Sequence, residues 1–63
     1  MAERFISLRE VLNRTSLSKT HTYRLIKVGT HPRPVPLGPH RVAFLESEID
    51  AWMEKRIAER TSL

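Results

Sequence analysis

The chain of 63 residues contains no cysteine and only two glycines. Without cysteine, neither a disulfide nor a thiolate zinc site can stabilise the fold. The glycines lie at positions 29 and 38, so no glycine-rich loop is present to bind phosphates. No apolar run approaches the ~20 residues of a membrane-spanning helix, and no signal peptide is visible. We therefore expect a cytoplasmic protein with no membrane partner.

Acidic residues are absent between Glu10 and Glu46. This stretch holds six cations and all three histidines: Arg14, Lys19, Arg24, Lys27, Arg33, Arg41, His21, His31 and His40. Residues 46–63, in contrast, contain five acidic and three basic residues, a net charge of −2. The formal net charge of +4 therefore understates how basic the middle of the chain is. Such a segment favours a polyanionic partner.

The length of the chain predicts one domain, residues 1–63, with a small core. The histidines are ten and nine residues apart without cysteine nearby, which is a weak sign of a metal site. No combination of nucleophile, base and acid can be recognised, and the acidic residues at 46–50 are better explained as charges at a helix start. We therefore predict no enzymatic activity, no metal, no cofactor and no small-molecule ligand.

The first helix is predicted over about residues 8–14. Ser7 and Glu10 form a capping box, in which each side chain bonds a backbone N–H of the first turn. The apolar residues that follow recur at helical spacing: Leu8, Val11 and Leu12. Before this helix, Phe5 and Ile6 lie in a short extended segment, and we expect both to anchor in the core.

A second helix is predicted over about residues 19–28, with Ser18 as its N-cap and Gly29 as a left-handed C-cap. Residues 14–18 form the turn between the two helices, and Leu17 can insert into the core. This arrangement fits a helix-turn-helix, although the glycine usual in its turn is missing. At ~100° per residue, one face carries Thr22, Leu25 and Ile26, with His21 and Val28 at its edge. The opposite face carries Thr20, Tyr23, Arg24 and Lys27, flanked by Lys19.

Residues 31–34 cannot be helical because two of the four are proline. We predict a β-hairpin, or wing, over about residues 35–44, in which Pro36 confines the first strand to a sheet edge. His40 and Arg41 lie near its tip. The apolar side chains of the hairpin are expected to pack inward: Val35, Leu37, Val42 and Phe44.

The last helix is predicted over about residues 46–60. Ser47 and Asp50 form a second pair resembling a capping box, and the acidic residues of the first turn complement the helix dipole. Ile49, Trp52, Met53 and Ile57 recur on one face, and we expect the last three to be core residues. The predicted fold is thus mainly α with a small β-hairpin, a winged helix-turn-helix of order α-α-β-β-α.

The polar face of the second helix has two interpretations. Any amphipathic helix exposes a solvated face, but such faces normally mix both signs of charge, whereas this one has no acid. Arginine can bond guanine bidentately, and lysine, tyrosine and threonine suit phosphates or base edges. We therefore predict contact with double-stranded DNA. Tyr23 is either half-packed beside a phosphate or fully exposed, and His21 is a packed or surface residue rather than a base reader.

The chain resembles the AlpA family of small phage- and prophage-associated DNA-binding proteins, related to MerR-type heads and phage excisionases. The matching segments, in order, are residues 5–11, 15–18, 23–26 with Gly29, 32–35, 37–38 and 46–52. The resemblance implies a transcriptional regulator or an excision factor that bends DNA, with contacts at Lys19, Thr20, Tyr23 and Arg24. Two positions depart from the family. Thr22 stands where a branched apolar residue is usual, and His40 stands where arginine usually follows Gly-Pro, leaving open whether His40 or Arg41 makes the wing contact.

The predicted function is sequence-specific binding of double-stranded DNA through Lys19, Thr20, Tyr23, Arg24, Lys27, His40 and Arg41. Arg24 and Thr20 would read bases, while Lys19, Tyr23 and Lys27 would bind phosphates. Transcriptional regulation is the leading role, and an architectural role in excision, with self-association on repeated sites, is the alternative. A protein-interaction module would instead show no salt-dependent binding to nucleic acid. An RNA-binding protein would need exposed aromatic residues for base stacking.

Overall fold

The computed structural model describes residues 3–60. Within this range the elements are β1 (Phe5–Ile6), α1 (Leu8–Thr15), α2 (Lys19–Val28), β2 (Val35–Gly38), β3 (Arg41–Leu45) and α3 (Glu46–Glu59). The three predicted helices and the hairpin are confirmed, and their ends lie within one residue of the predicted positions. The architecture is mostly helical with a small antiparallel sheet, as in a winged helix-turn-helix domain.

Local capping residues determine where the first two helices begin and end. The Ser7 hydroxyl accepts a hydrogen bond from the Glu10 N–H at 3.1 Å, and Ser18 accepts one from the His21 N–H at the same distance. Gly29 ends α2 in the left-handed conformation, with φ 86°. Ser16 ends α1 in that conformation too, with φ 62°. A serine therefore occupies the turn position at which the helix-turn-helix usually has glycine.

Two details of the predicted caps are wrong. The Glu10 carboxylate does not return to the N–H of Ser7 but accepts a 2.8 Å hydrogen bond from Arg14. Ser47 does not cap α3, because Leu45 is the N-cap and makes no side-chain bond there. The Ser47 hydroxyl instead donates to the carboxylate of Glu3 at 2.8 Å. Glu10 thus pairs with a cation one helical turn away, whereas Ser47 pairs with a carboxylate 44 residues away in the sequence.

The sheet has three strands rather than the two of the predicted hairpin. Their order is β1-β3-β2, all antiparallel, and β1 pairs Phe5 with Leu45 and Ile6 with Phe44. The strand β2 lies at an edge, as Pro36 predicted. A strand of two residues has no periodicity of its own, so its pairing depends on β3, which lies ~40 residues away in the sequence.

The core is small and lies between the sheet and the helices. Ile6, Val11, Phe44 and Ile49 form the buried cluster, and Leu8, Ile26 and Met53 pack against it. Three further residues are buried near it: Thr22, His31 and Ala43. Each of the six elements except β2 contributes a buried residue, so the core depends on the whole domain rather than on one pair of helices.

Several side chains expected in the core lie outside it. Phe5 is 50% exposed because it lies on the sheet face opposite Ile6. Leu37 is 52% and Val42 42% exposed, and Val35 is only half-buried. Ile57 is 49% exposed because it lies one turn beyond Met53, the last residue of α3 that packs against the core. Trp52 and Met53 are half-buried rather than fully enclosed.

Candidate nucleic-acid interface

The helix α2 turns two chemically different faces in opposite directions. Thr22 is fully buried, and Leu25 and Ile26 are half-buried beside it. The opposite face is exposed along the whole helix: Lys19, Thr20, Tyr23, Arg24 and Lys27. The orientation predicted from the apolar spacing is therefore confirmed. The binding role of these side chains stays a prediction.

The aromatic and histidine side chains of α2 lie at the surface. Tyr23 is 37% exposed, an intermediate arrangement between the half-packed and the fully exposed alternatives. This exposure leaves the tyrosine available on the polar face. His21 is exposed, in agreement with a surface residue.

One of the six cations in the acid-free stretch is neutralised within the fold. Arg14 lies 2.8 Å from Glu10, 2.9 Å from Glu46 and 3.5 Å from Asp50. The hydrogen bonds to Glu10 and Glu46 raise the pKa of Arg14 above its ordinary value. Arg14 therefore joins α1 to the acidic start of α3, and counting it among uncompensated cations is wrong.

The other five cations of that stretch have no carboxylate within 4.0 Å among residues 3–60: Lys19, Arg24, Lys27, Arg33 and Arg41. The remaining ion pairs of the described range both involve α3, where Arg4 approaches Glu46 at 3.9 Å and Arg56 approaches Glu59 at 3.3 Å. Three of the acids of α3, Glu46, Asp50 and Glu59, are thus paired with cations outside the polar face of α2. The fold leaves the positive charge of α2 and the wing uncompensated.

The tip of the hairpin is exposed, as predicted. Pro39 and His40 form the turn between β2 and β3, and Arg41 begins β3. His40 has φ 61°, a left-handed conformation that glycine or asparagine usually occupies. Both His40 and Arg41 are open to solvent, so either can reach a partner.

Sequence reasoning missed how the end of α2 is fixed. His31 is 4% exposed, and its ring lies 4.7 Å from that of Trp52 and 6.0 Å from that of Phe44. Its Nδ1 lies 2.9 Å from the Pro32 carbonyl oxygen, so Nδ1 carries the proton that is donated there. The indole N–H of Trp52 donates to the Thr30 carbonyl at 2.6 Å. The one signal in the sequence is that His31 stands between a C-cap glycine and a proline, where it cannot be part of a helix.

Two further features, a metal-binding group and a membrane-spanning helix, are both absent from residues 3–60. Within residues 3–60, no group of three or more His, Cys, Asp or Glu side chains is placed to bind a metal ion. In the same range, no helix has the length and apolar character that crossing a membrane requires.

Comparison with known proteins identifies a family and a relative. The family model described as prophage CP4-57 regulatory protein (AlpA) matches residues 4–57. The chain is also 47% identical over 58 residues to an uncharacterized protein, ORF88, of Enterobacteria phage P4. That alignment covers 92% of this chain and 66% of the relative, so the chain spans just under two thirds of the relative's length. No solved structure matches the chain significantly.

Proposed function

We propose a DNA-binding function for this chain, which belongs to the AlpA family of prophage regulatory proteins. The partner is double-stranded DNA, and α2 is the helix that enters the major groove. A helix-turn-helix places its second helix there, with the first helix crossing the backbone. The role is that of a phage-type regulator that binds a specific DNA sequence.

One observation carries this proposal. The exposed face of α2 holds three cations, a hydroxyl and a phenol, and none of these cations has a carboxylate within 4.0 Å in residues 3–60. An ordinary solvated helix face mixes charges, because ion pairs at helical spacing stabilise it. Here four acids of the described residues are paired with cations elsewhere, and Arg14 alone pairs with three of them. Unpaired cations on this face favour the binding of an external polyanion, whereas they do not stabilise the helix through ion pairs.

The chemistry of each side chain suggests its role. Arg24 can bond the O6 and N7 atoms of guanine bidentately, and the Thr20 hydroxyl suits a base edge or methyl group. Lys19, Tyr23 and Lys27 suit phosphates, which position the protein without reading sequence. His40 and Arg41 would contact the neighbouring backbone or groove. Arg41 is the formal cation of this pair, so it would supply most of the attraction of the wing.

The family description names a regulatory protein, which favours gene regulation over an architectural role in excision. The excision alternative predicts cooperative binding to direct repeats, self-association on those repeats and bending of the DNA. A gel-shift series on one site and on tandem sites therefore separates the two roles. Independent binding to each site favours the regulator.

The experiment that tests DNA binding is a salt titration with duplex DNA, single-stranded DNA and RNA of matched sequence. If about four phosphates are neutralised, the slope of log affinity against log salt for the duplex is expected near −3 to −4. A slope near zero would contradict the proposal, and so would equal affinity for the single strands. Failure to bind any nucleic acid would favour a protein-interaction module.

A matched pair of variants separates fold from binding in this titration. Lys27→Ala is expected to reduce the duplex slope by about one unit, since it removes one phosphate contact. Arg14→Ala should leave the slope unchanged and lower the melting temperature instead, because Arg14 is bonded to Glu10 and Glu46. If Arg14→Ala lowered the slope and Lys27→Ala lowered only the melting temperature, the assignment of Lys27 to DNA binding and of Arg14 to the fold would be wrong.

A further inference from the structure

A cleft of about 480 Å³ opens beyond the end of α2, between the turn that follows this helix and the second half of α3. We call it the α2–α3 cleft and define it by four of the side chains that line it: Thr30, Trp52, Lys55 and Arg56. Gly29 also lines the cleft, so the cleft begins two residues after Lys27. It therefore adjoins the end of the helix that would lie on DNA.

Contacts between the two walls of the cleft fix its shape. The indole N–H of Trp52 donates to the Thr30 carbonyl at 2.6 Å, and the buried ring of His31 lies 4.7 Å from the Trp52 ring. The backbone N–H groups of Gly29 and Thr30 donate to carbonyl groups of the last turn of α2. A ligand bound in the cleft would therefore find its walls already ordered, which lowers the entropic cost of binding.

The cleft carries more positive than negative charge. Glu59 lines it and lies 3.3 Å from Arg56, whose guanidinium carbon is 5.2 Å from the centroid of the Trp52 ring. Lys55 and Glu59 are four residues apart, a spacing at which lysine and glutamate pair on a helix. Yet no carboxylate lies within 4.0 Å of Lys55 among residues 3–60. Lys55 is thus an unpaired cation in the cleft.

A weakly bonded hydroxyl group lies in the same cleft. The Thr30 hydroxyl donates to the Leu25 carbonyl at 3.4 Å, which is ~0.6 Å longer than a typical bond between a hydroxyl and an oxygen acceptor. Thr30 is exposed, so its hydroxyl can turn towards a stronger acceptor at little cost. An ammonium, a guanidinium and a hydroxyl are all groups that donate to phosphate oxygens.

We propose that the α2–α3 cleft binds a phosphate of the DNA backbone through the ammonium of Lys55 and the hydroxyl of Thr30, with Arg56 adding positive charge. This inference rests on the proposed DNA binding and adds α3 to the elements that contact DNA. A helix in the major groove lies between two sugar–phosphate backbones. Lys19 is at one end of α2, and the cleft is just beyond the other. A helix C-terminus carries partial negative charge, so the cations that attract a phosphate there come from α3.

The DNA backbone is a better source of this phosphate than a free phosphate compound. An exposed ion pair contributes little affinity by itself, and Lys55 and Thr30 are both exposed. Once α2 is bound, however, the neighbouring strand is presented to the cleft at high effective concentration. A contact that is too weak to retain a free ion therefore still adds to the affinity for DNA.

The first test is the salt dependence of duplex binding by two variants of Lys55. Lys55→Ala should lower the slope of log affinity against log salt by about one unit and weaken specific and random duplexes alike. Lys55→Arg keeps the charge and should keep the slope. Lys55 is exposed, so both variants should melt close to the wild-type temperature. A lower melting temperature of Lys55→Ala with an unchanged slope would overturn the proposal, because Lys55 would then only stabilise the helix.

Arg4→Ala is the matched control. Arg4 is 72% exposed and approaches Glu46 at the start of α3, which is ~14 Å along the helix axis from Lys55. This variant also removes one exposed cation, and it should leave the slope unchanged. If Arg4→Ala lowers the slope as much as Lys55→Ala does, the effect is one of total charge and the cleft is not a phosphate site.

Uncharged methylphosphonates, placed one at a time in a duplex selected from a random pool, locate the contact on the DNA. At one backbone position the substitution should weaken wild-type binding and weaken binding by Lys55→Ala much less. Equal losses for the two proteins at every position would contradict the proposal. Failure of the wild type to bind any duplex would instead refute the underlying DNA-binding proposal.

The fluorescence of Trp52 separates the two sources of phosphate. Trp52 is the one tryptophan of the sequence and lines the cleft, so its emission reports on occupancy. Duplex DNA should change this emission in the wild type more than in Lys55→Ala, whereas inorganic phosphate at the same ionic strength should change it little. A saturable response to inorganic phosphate, together with an unchanged duplex slope for Lys55→Ala, would overturn the proposal in favour of a free phosphate compound.

Discussion

The indole N–H of Trp52 donates a 2.6 Å hydrogen bond to the backbone carbonyl of Thr30. This bond joins the middle of α3 to the residue that follows the C-cap of α2. The centroid of the Trp52 ring also lies 4.7 Å from that of His31 and 5.2 Å from the guanidinium carbon of Arg56. The direction in which α2 presents its polar face therefore depends on a residue of α3.

Trp52→Phe should lower the free energy of unfolding by about 1 kcal/mol, since it keeps an aromatic ring but removes the hydrogen-bond donor. Trp52→Ala should cost about 3 kcal/mol, at the low end for a tryptophan because the side chain is only half-buried. Urea unfolding followed by circular dichroism measures both. Ile57→Ala is the control, because Ile57 is 49% exposed and its truncation should lower the free energy of unfolding less. A wild-type midpoint for Trp52→Phe would mean that the bond to Thr30 contributes nothing.

Ser16→Gly should stabilise the domain by about 0.5–1 kcal/mol. Ser16 ends α1 with φ 62°, a conformation that glycine adopts without steric cost. Thermal melts of the two proteins test this expectation. Ser18→Gly, at a position with ordinary extended φ −76°, should gain nothing and lose a few tenths of a kcal/mol through the lost cap. A destabilised Ser16→Gly would show that the serine side chain contributes more than its backbone conformation costs.

Thr22→Val should raise the free energy of unfolding by about 1 kcal/mol. Thr22 is fully buried, and its hydroxyl oxygen has no hydrogen-bond partner within residues 3–60. Burying an unpaired hydroxyl is unfavourable, and valine has nearly the same shape. Thr20→Val on the exposed face of α2 is the matched control and should change stability little. A loss of stability in Thr22→Val would indicate that a buried water completes the hydrogen bonds of this hydroxyl.

Arg24→Ala and Lys27→Ala should weaken DNA binding in different ways. The loss of a bidentate contact to guanine should cost about 1–3 kcal/mol on the specific site and relax sequence preference. Lys27→Ala should weaken specific and random duplexes alike, because phosphates carry no sequence. Competition assays with both duplexes measure the difference. Equal loss of specificity in the two variants would contradict the roles assigned to them.

Local signals in the sequence predicted the helices and the orientation of α2. Ser7, Ser18 and Gly29 act within four residues of themselves, so their roles can be recognised from neighbouring residues alone. The exposed face of α2 follows from the spacing of Thr22, Leu25 and Ile26. Each of these features depends on helical geometry and on residues that are close together in the sequence.

Features that depend on distant residues could not be predicted. The pairing of Ile6 with Phe44 requires the tertiary fold, and so does the ion pair of Arg14 with Glu46. The register of β2 against β3 is irregular between Pro36 and Gly38, so Leu37 has no paired residue on β3, and the exposure of its side chain could not be read from strand alternation. The apolar stripe of α3 indicated a buried face but not that the core ends at Met53.

The position of Pro36 has a consequence for aggregation. It lies in β2, one of the two edge strands of the sheet, where a second chain would add by hydrogen bonding. Proline has no N–H to donate, so it interrupts the ladder that such an addition would form. The chain can therefore expose Leu37 and Val42 at the end of the same hairpin while this edge resists growth into an intermolecular sheet.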